Sequence, residues 1–301
     1  MFDGIDTVFL PAGDADSLRG LYRDVLGFQL VDVDESPDPG WREALALPAS
    51  PERIDLLAKP GATGGAIALV QTPGLADVGH PGSPGRRGPY ALDFYARDMP
   101  DLERRLEEAG WGFTSEAVHY DLPGTDIPVR ERMLIQPVSG LLHAIVQHRP
   151  MGTRSILGTV ETEECSEVVA AVCLTPDLAP AREFATECLG GREYFHGAFQ
   201  GPAVERMLDM GPGDRLDGAL FRGPTSANAR LEFAWRPNAR PADPTPTPRV
   251  VLGLRMPTDG ADAWSAHGAA GDPLTVRWGR RELHVRRFAS RYDAVFLLLQ
   301  G

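Results

Sequence analysis

One order of elements, β-α-β-β-β, recurs four times in this chain of 301 residues, and it limits the possible folds more than any single motif. A repeated unit of this size cannot bury its apolar face alone and must pack against another copy. Ile5–Pro11 reads as a strand. Ala15–Leu26 follows as a helix with Leu18, Leu21, Tyr22 and Leu26 at helical spacing, Asp14 or Asp16 as its cap and Gly27 as its stop. Phe28–Val33, Ile54–Lys59 and Ala66–Thr72 then alternate as strands. The order returns in Val168–Leu174, Leu178–Leu189 closed by Gly190, Arg192–His196, Ala219–Arg222 and Ala229–Trp235. Thr7 stands 20 residues before Gly27 and Ala170 stands 20 before Gly190, while the steps from each glycine to Ala68 and Glu232 are 41 and 42. Short helical pieces at Gly40–Pro48 and Gly201–Met210 also correspond.

The other two units begin at Tyr90–Ala96, with the helix Met99–Ala109, and at Arg249–Met256, with a helix expected over Gly260–His267. Their later strands are expected near Ala117–Tyr120, Glu131–Gln136 and Leu141–Gln147, and over Leu274–Trp278, Glu282–Phe288 and Ala294–Leu299. The tails Ala68-Leu-Val-Gln71, Ala144-Ile-Val-Gln147 and Leu297-Leu-Leu-Gln300 repeat across three units. The expected organisation is two halves, 1–150 and 165–301, joined by a linker over 151–164, each half shaping its own cup.

Composition narrows the partners. Acidic residues outnumber basic ones 42 to 30, giving a net charge of −12, a field that repels nucleic-acid backbones and anionic lipid. No apolar run approaches the roughly 18 residues of a membrane span, and the N-terminus shows no secretory pattern. With three cysteines and no CxxC spacing, a reducing cytoplasm is expected, and the chain is expected to be a monomer or homodimer that takes a small molecule.

Leu21-Tyr-Arg-Asp-Val-Leu-Gly-Phe28, supported by Phe184-Ala-Thr-Glu-Cys-Leu-Gly190 and the four-unit count, resembles the helix-to-strand signature of the vicinal oxygen chelate superfamily. That superfamily includes glyoxalase I, extradiol dioxygenases, fosfomycin-modifying enzymes and bleomycin-binding proteins. The resemblance implies an α+β fold in which paired βαβββ modules form cupped mixed sheets. It also implies a divalent metal held by residues on the first and last strands of each module. The matching first-strand positions are Thr7, about Ala91, Ala170 and near Val251; the last-strand positions are Ala68, Ala144, Glu232 and Leu297. Only Glu232 is an ordinary ligand, so the chelate is expected to be degenerate and no cofactor is expected. A slip of one residue would turn His143 inward, which leaves Glu232 and His143 as the remnants; Asp93 lies two residues past Ala91.

Strand alternation puts Arg230 and Glu232 on one face, and puts Tyr194 and His196 together on another strand. Glu232, His196 and Tyr194 are therefore the candidate catalytic residues, a carboxylate with a proton shuttle and an orienting hydroxyl. Arg230, His284 and Trp235 are the candidate substrate contacts. His80 is expected in a loop, and His119 with Asp121 forms a weaker metal-like pair. The expected activity is acid–base chemistry of the lyase, isomerase or cyclase kind on a small oxygenated, hydrophobic or aromatic molecule. The alternative is a non-catalytic binder of the antibiotic-resistance type, and the third reading is a metal-dependent dioxygenase or glyoxalase with rearranged ligands.

Overall fold

The computed structural model describes residues 2–79, 85–148, 155–223, 229–242 and 247–301, so His80 and part of the expected linker lie outside the described residues. The first module runs β1 (Thr7–Ala12), α1 (Asp16–Arg19), β2 (Gln29–Asp34), α2 (Gly40–Ala44), β3 (Arg53–Ala58) and β4 (Ala66–Gln71). The second runs β5 (Gly88–Tyr95), α3 (Met99–Glu108), β6 (Val118–Asp121), β7 (Pro128–Gln136) and β8 (Leu141–His148). The third contains β9 (Ala170–Leu174), α4 (Leu178–Glu183), β10 (Arg192–Gln200), α5 (Pro202–Met207), β11 (Arg215–Arg222) and β12 (Arg230–Trp235). The fourth contains β13 (Val251–Arg255), β14 (Gly268–Ala270), β15 (Leu274–Trp278), β16 (Arg281–Ser290) and β17 (Val295–Gln300).

The first and third modules share a further detail. Each helix starts as α and finishes in a wider π turn, Gly20–Val25 and Phe184–Cys188, with Leu26 donating to the Leu21 carbonyl and Leu189 to that of Phe184. Both chains then leave through a left-handed glycine, Gly27 at φ +76° and Gly190 at +72°, a conformation a side chain disfavours. The fourth module departs from expectation. Its helix shrinks to the 3₁₀ turn Asp259–Trp264, and His267 ends in a hydrogen bond with the Tyr292 hydroxyl at 2.7 Å instead of on a helix terminus.

Two sheets result, ordered β14-β16-β17-β13-β1-β4-β3-β2, with β15 beside β16, and β10-β11-β12-β9-β5-β8-β7-β6. The first unites modules one and four through antiparallel β1 and β13; the second unites modules two and three through antiparallel β5 and β9. The sheets thus cross the division expected at 151–164, each taking one module from either side of it. All four leading strands present equivalent free edges, so the repeat alone does not dictate which edges meet. One hydrophobic core, including Val8, Leu18, Phe94, Leu102, Cys173 and Leu252, joins the helices to one face of both sheets. The opposite faces form two separate cups.

Candidate functional site

The two cups differ in what fills them. In the sheet of modules one and four, Phe9, Ala68, Val251 and Leu297 line the floor while Trp41 and Trp278 fill the space above, edge to face at 5.3 Å. The Trp41 indole donates to the Arg277 carbonyl, and the Arg277 and Gly279 amides donate to Asp38 and Asp34, closing one sheet edge onto the other. The second cup retains a cavity of about 240 Å³.

That cavity is built from strand alternation. On β12, Arg230, Glu232 and Ala234 point into the cup while Leu231 and Phe233 enter the common core. On β5, Ala91, Asp93 and Tyr95 face inward, and on β7, Val129, Glu131 and Met133 do so. The intervening partners are small: Asp93 stands opposite both Ala170 and Ala144. Alanine at these positions lets side chains from strands further apart share one space. Two of the first-strand residues opposite the last-strand set are therefore Asp93, facing Ala144, and Val172, facing Glu232. These lie two places beyond the positions matched from sequence, which preserves the face.

Glu232 is 6% exposed, and its carboxyl has no hydrogen-bond partner or ion pair among the described residues. It fits because β11 carries Gly218 beside it: a Cβ there would stand 2.5 Å from Oε1 and 3.1 Å from the Phe199 ring. Arg230 is anchored, donating through Nε to the Val169 carbonyl at 3.0 Å and through Nη2 to the Tyr95 hydroxyl at 2.7 Å. Its guanidinium also lies over the rings of Tyr95 and Tyr194, at 5.3 and 5.9 Å. The Tyr120 hydroxyl donates to Glu131.

Burial pushes all three carboxyls upward, because the cavity solvates charge poorly. Desolvation and then the neighbouring Glu131 raise Asp93 to about 8, against the opposing pull of Arg230. Desolvation raises Glu131 to about 7, with the Tyr120 hydrogen bond working the other way. Glu232 is held well above the carboxylate range by desolvation, then by Asp93 and Glu131.

Of the residues expected from sequence, Glu232, Arg230 and Tyr194 meet in this cavity. His196 does not. The β10–β11 register shifts between Glu193 and Phe195, so Tyr194 occupies a bulge, Phe195 joins it in the cup and His196 turns to the exposed face. Trp235 follows Leu231 and Phe233 in phase and lies outside the cavity lining. His284 belongs to the other sheet, exposed and within 3.0 Å of the Thr275 hydroxyl. His143 faces the helices: it is fully buried, with Nε2 2.8 Å from the Tyr22 hydroxyl, so it is not a remnant ligand of the cup. His119 and Asp121 are exposed on the edge strand β6. Glu131 and Tyr120 went unseen in the sequence; the available signal was an acid in phase with Val129 and Met133.

A divalent cation held by four strand residues does not fit this set. The equivalent positions carry Phe9, Ala68, Gly253 and Leu297 in one cup, and Asp93, Ala144, Val172 and Glu232 in the other. Among the described residues, no group of three or more His, Cys, Asp or Glu is placed to hold a metal ion.

The family model of the Glyoxalase/Bleomycin resistance protein/Dioxygenase superfamily matches residues 4–127. The fold is similar to glyoxalase I from Zea mays, at 14% identity and a TM-score of 0.63 over 99% of this chain and 92% of that one. It is similar also to a candidate dioxygenase from Bacillus subtilis, at 14% identity and a TM-score of 0.61 over 99% and 85%. No curated protein matches the sequence. No helix among the described residues is long and apolar enough to cross a membrane.

Proposed function

We propose that this chain belongs to the glyoxalase/bleomycin resistance/dioxygenase superfamily, whose model matches residues 4–127, and that it binds a small hydrophobic or aromatic oxygenated molecule in the cup of modules two and three and moves a proton on it. The observation that carries this reading is the pair of carboxyls, Asp93 and Glu232, that face an apolar cavity without hydrogen-bond partners among the described residues. A carboxyl whose pKa is raised toward neutrality serves as general acid and, once ionised, as general base. Glu232 would exchange the proton, and Tyr194 and Arg230 would orient a substrate oxygen from the opposite wall. Lyase, isomerase and cyclase reactions share the step that such a site supplies, removal of a proton next to a carbonyl and its return elsewhere. The three cysteines are free, two of them buried, which suits the cytoplasm.

The test is exchange of C–H protons in deuterated buffer, followed by proton NMR across a panel of small ketones, aldehydes and hydroxyketones. Wild-type protein should erase the signal next to the carbonyl of at least one compound, and Glu232→Gln should not. The largely apolar and aromatic lining favours a second reading, sequestration of a ligand without turnover. Binding of a panel compound with no exchange by wild type would move the assignment to that reading.

A further inference from the structure

We propose that the ligand of this cup carries a protonated amine, seated among Asp93, Glu131 and Glu232 between tyrosine rings; this rests on the reading above that the cup is the working site. Three acids face one cavity from β5, β7 and β12. One guanidinium faces them, and its Nε and Nη2 are already committed to the Val169 carbonyl and the Tyr95 hydroxyl. The other titratable groups that face the acids are tyrosines, Tyr90 and Tyr95 from β5, Tyr120 from β6 and Tyr194 from β10. With the three carboxyls ionised the cavity has two uncompensated negative charges, and no other positive group lines it among the described residues.

Glu232 points independently to a ligand. Glu232 is a buried residue, 6% exposed, whose carboxyl faces the cavity with no partner among the described residues, a costly arrangement once it is ionised, and Gly218 keeps open the space it occupies. The group that relieves it must donate hydrogen bonds, and one with positive charge also cancels the repulsion among the three acids. Tyr90 and Tyr120, the lining tyrosines that Arg230 does not overlie, suit an organic cation better than a hydrated metal ion, since the ring quadrupole attracts a cation that sheds its water. A cavity of about 240 Å³ limits the molecule to one of modest size. Seating the ammonium favours the ionised carboxyls, so binding expels protons to the buffer and leaves Glu232 in its basic form.

Calorimetric titration of the full chain at neutral pH with benzylamine, benzyl alcohol and benzoate tests this. The ammonium is expected to bind at least about tenfold more tightly than the alcohol, as a charged hydrogen bond requires. Its heat should differ between phosphate and MOPS, reporting proton release. Glu131→Gln should erase most of the tenfold preference; it can still accept from Tyr120, and Asp93→Asn is the second variant should the first fold poorly. Equal or tighter binding of benzyl alcohol or benzoate would overturn the amine assignment while leaving the cup as a ligand site. No binding by any of the three would overturn it as well, and proton exchange would then judge the proposed function separately.

Discussion

Replacing Glu131 by glutamine removes a buried acid while keeping an acceptor for the Tyr120 hydroxyl, and its effect on stability has a defined pH dependence. Burial raises this carboxyl from 4.5 to about 7. Between those values the native state holds more protons than the unfolded chain, so stability falls as pH rises through the window and stays low above it. The full rise corresponds to about 3 kcal/mol, of which about 1 kcal/mol is already lost at pH 5. Glutamine does not titrate, so the variant should gain about 2 kcal/mol relative to wild type on moving from pH 5 to pH 8. Loss of the Glu131 charge also eases ionisation of Asp93 and Glu232, which acts in the same direction. Urea unfolding of both proteins at the two pH values gives the double difference, in which any packing effect of the substitution cancels. A double difference near zero, or of opposite sign, would mean that Glu131 ionises like a solvated acid, and the electrostatic account of the cup would fail.

Three further expectations concern other parts of the molecule. Gly218→Ala places a methyl where the Glu232 carboxyl now rests, so proton exchange or ligand binding should fall by about tenfold or more while stability drops by only about 1–3 kcal/mol; retained activity would show that Glu232 works from another position. Burial lowers His143 from 6.5 to about 4, so the unfolded chain takes up a proton first as pH falls. Wild type should therefore lose about 2 kcal/mol more than His143→Gln between pH 7 and pH 5, measured by urea unfolding, and equal losses would refute the assignment. Trp41→Ala should cost about 3–5 kcal/mol by denaturant titration, because the indole fills the first cup; a loss below about 1 kcal/mol would mean that the cup collapses around the gap.

Much of this architecture was legible because it repeats. The glycines at 27 and 190, the equal steps to Ala68 and Glu232, and the alternation of Arg230 with Glu232 are local features that survive folding unchanged. The misplacements share a cause: each depended on something non-local. One extra residue in β10 turned His196 away from Tyr194, and alternation contains no signal for a bulge. His143 faces inward toward a different layer, which its strand pattern alone does not distinguish from a cup. Glu131 lies on β7, the third strand of its module, outside the first and last strands where the family resemblance directs attention. The choice between neighbouring and nested module pairing rests on which strand edges meet, and four similar units contain no local record of it.

That nested pairing has a consequence for synthesis on the ribosome. The inner sheet joins Ala91 to Val172 and can close once β12 has emerged. The outer sheet joins Thr7 to Gly253, so β1 cannot complete its pairing until a strand made long after it, beyond the whole inner sheet, has emerged. Until β13 arrives, Thr7–Phe9 is a bare edge beside an apolar face, open to pairing with another chain. The first cup, tightly filled by Trp41 and Trp278, is thus completed after the second, and a ribosome that stops short of β13 releases a chain whose inner sheet is closed while β1 is still exposed.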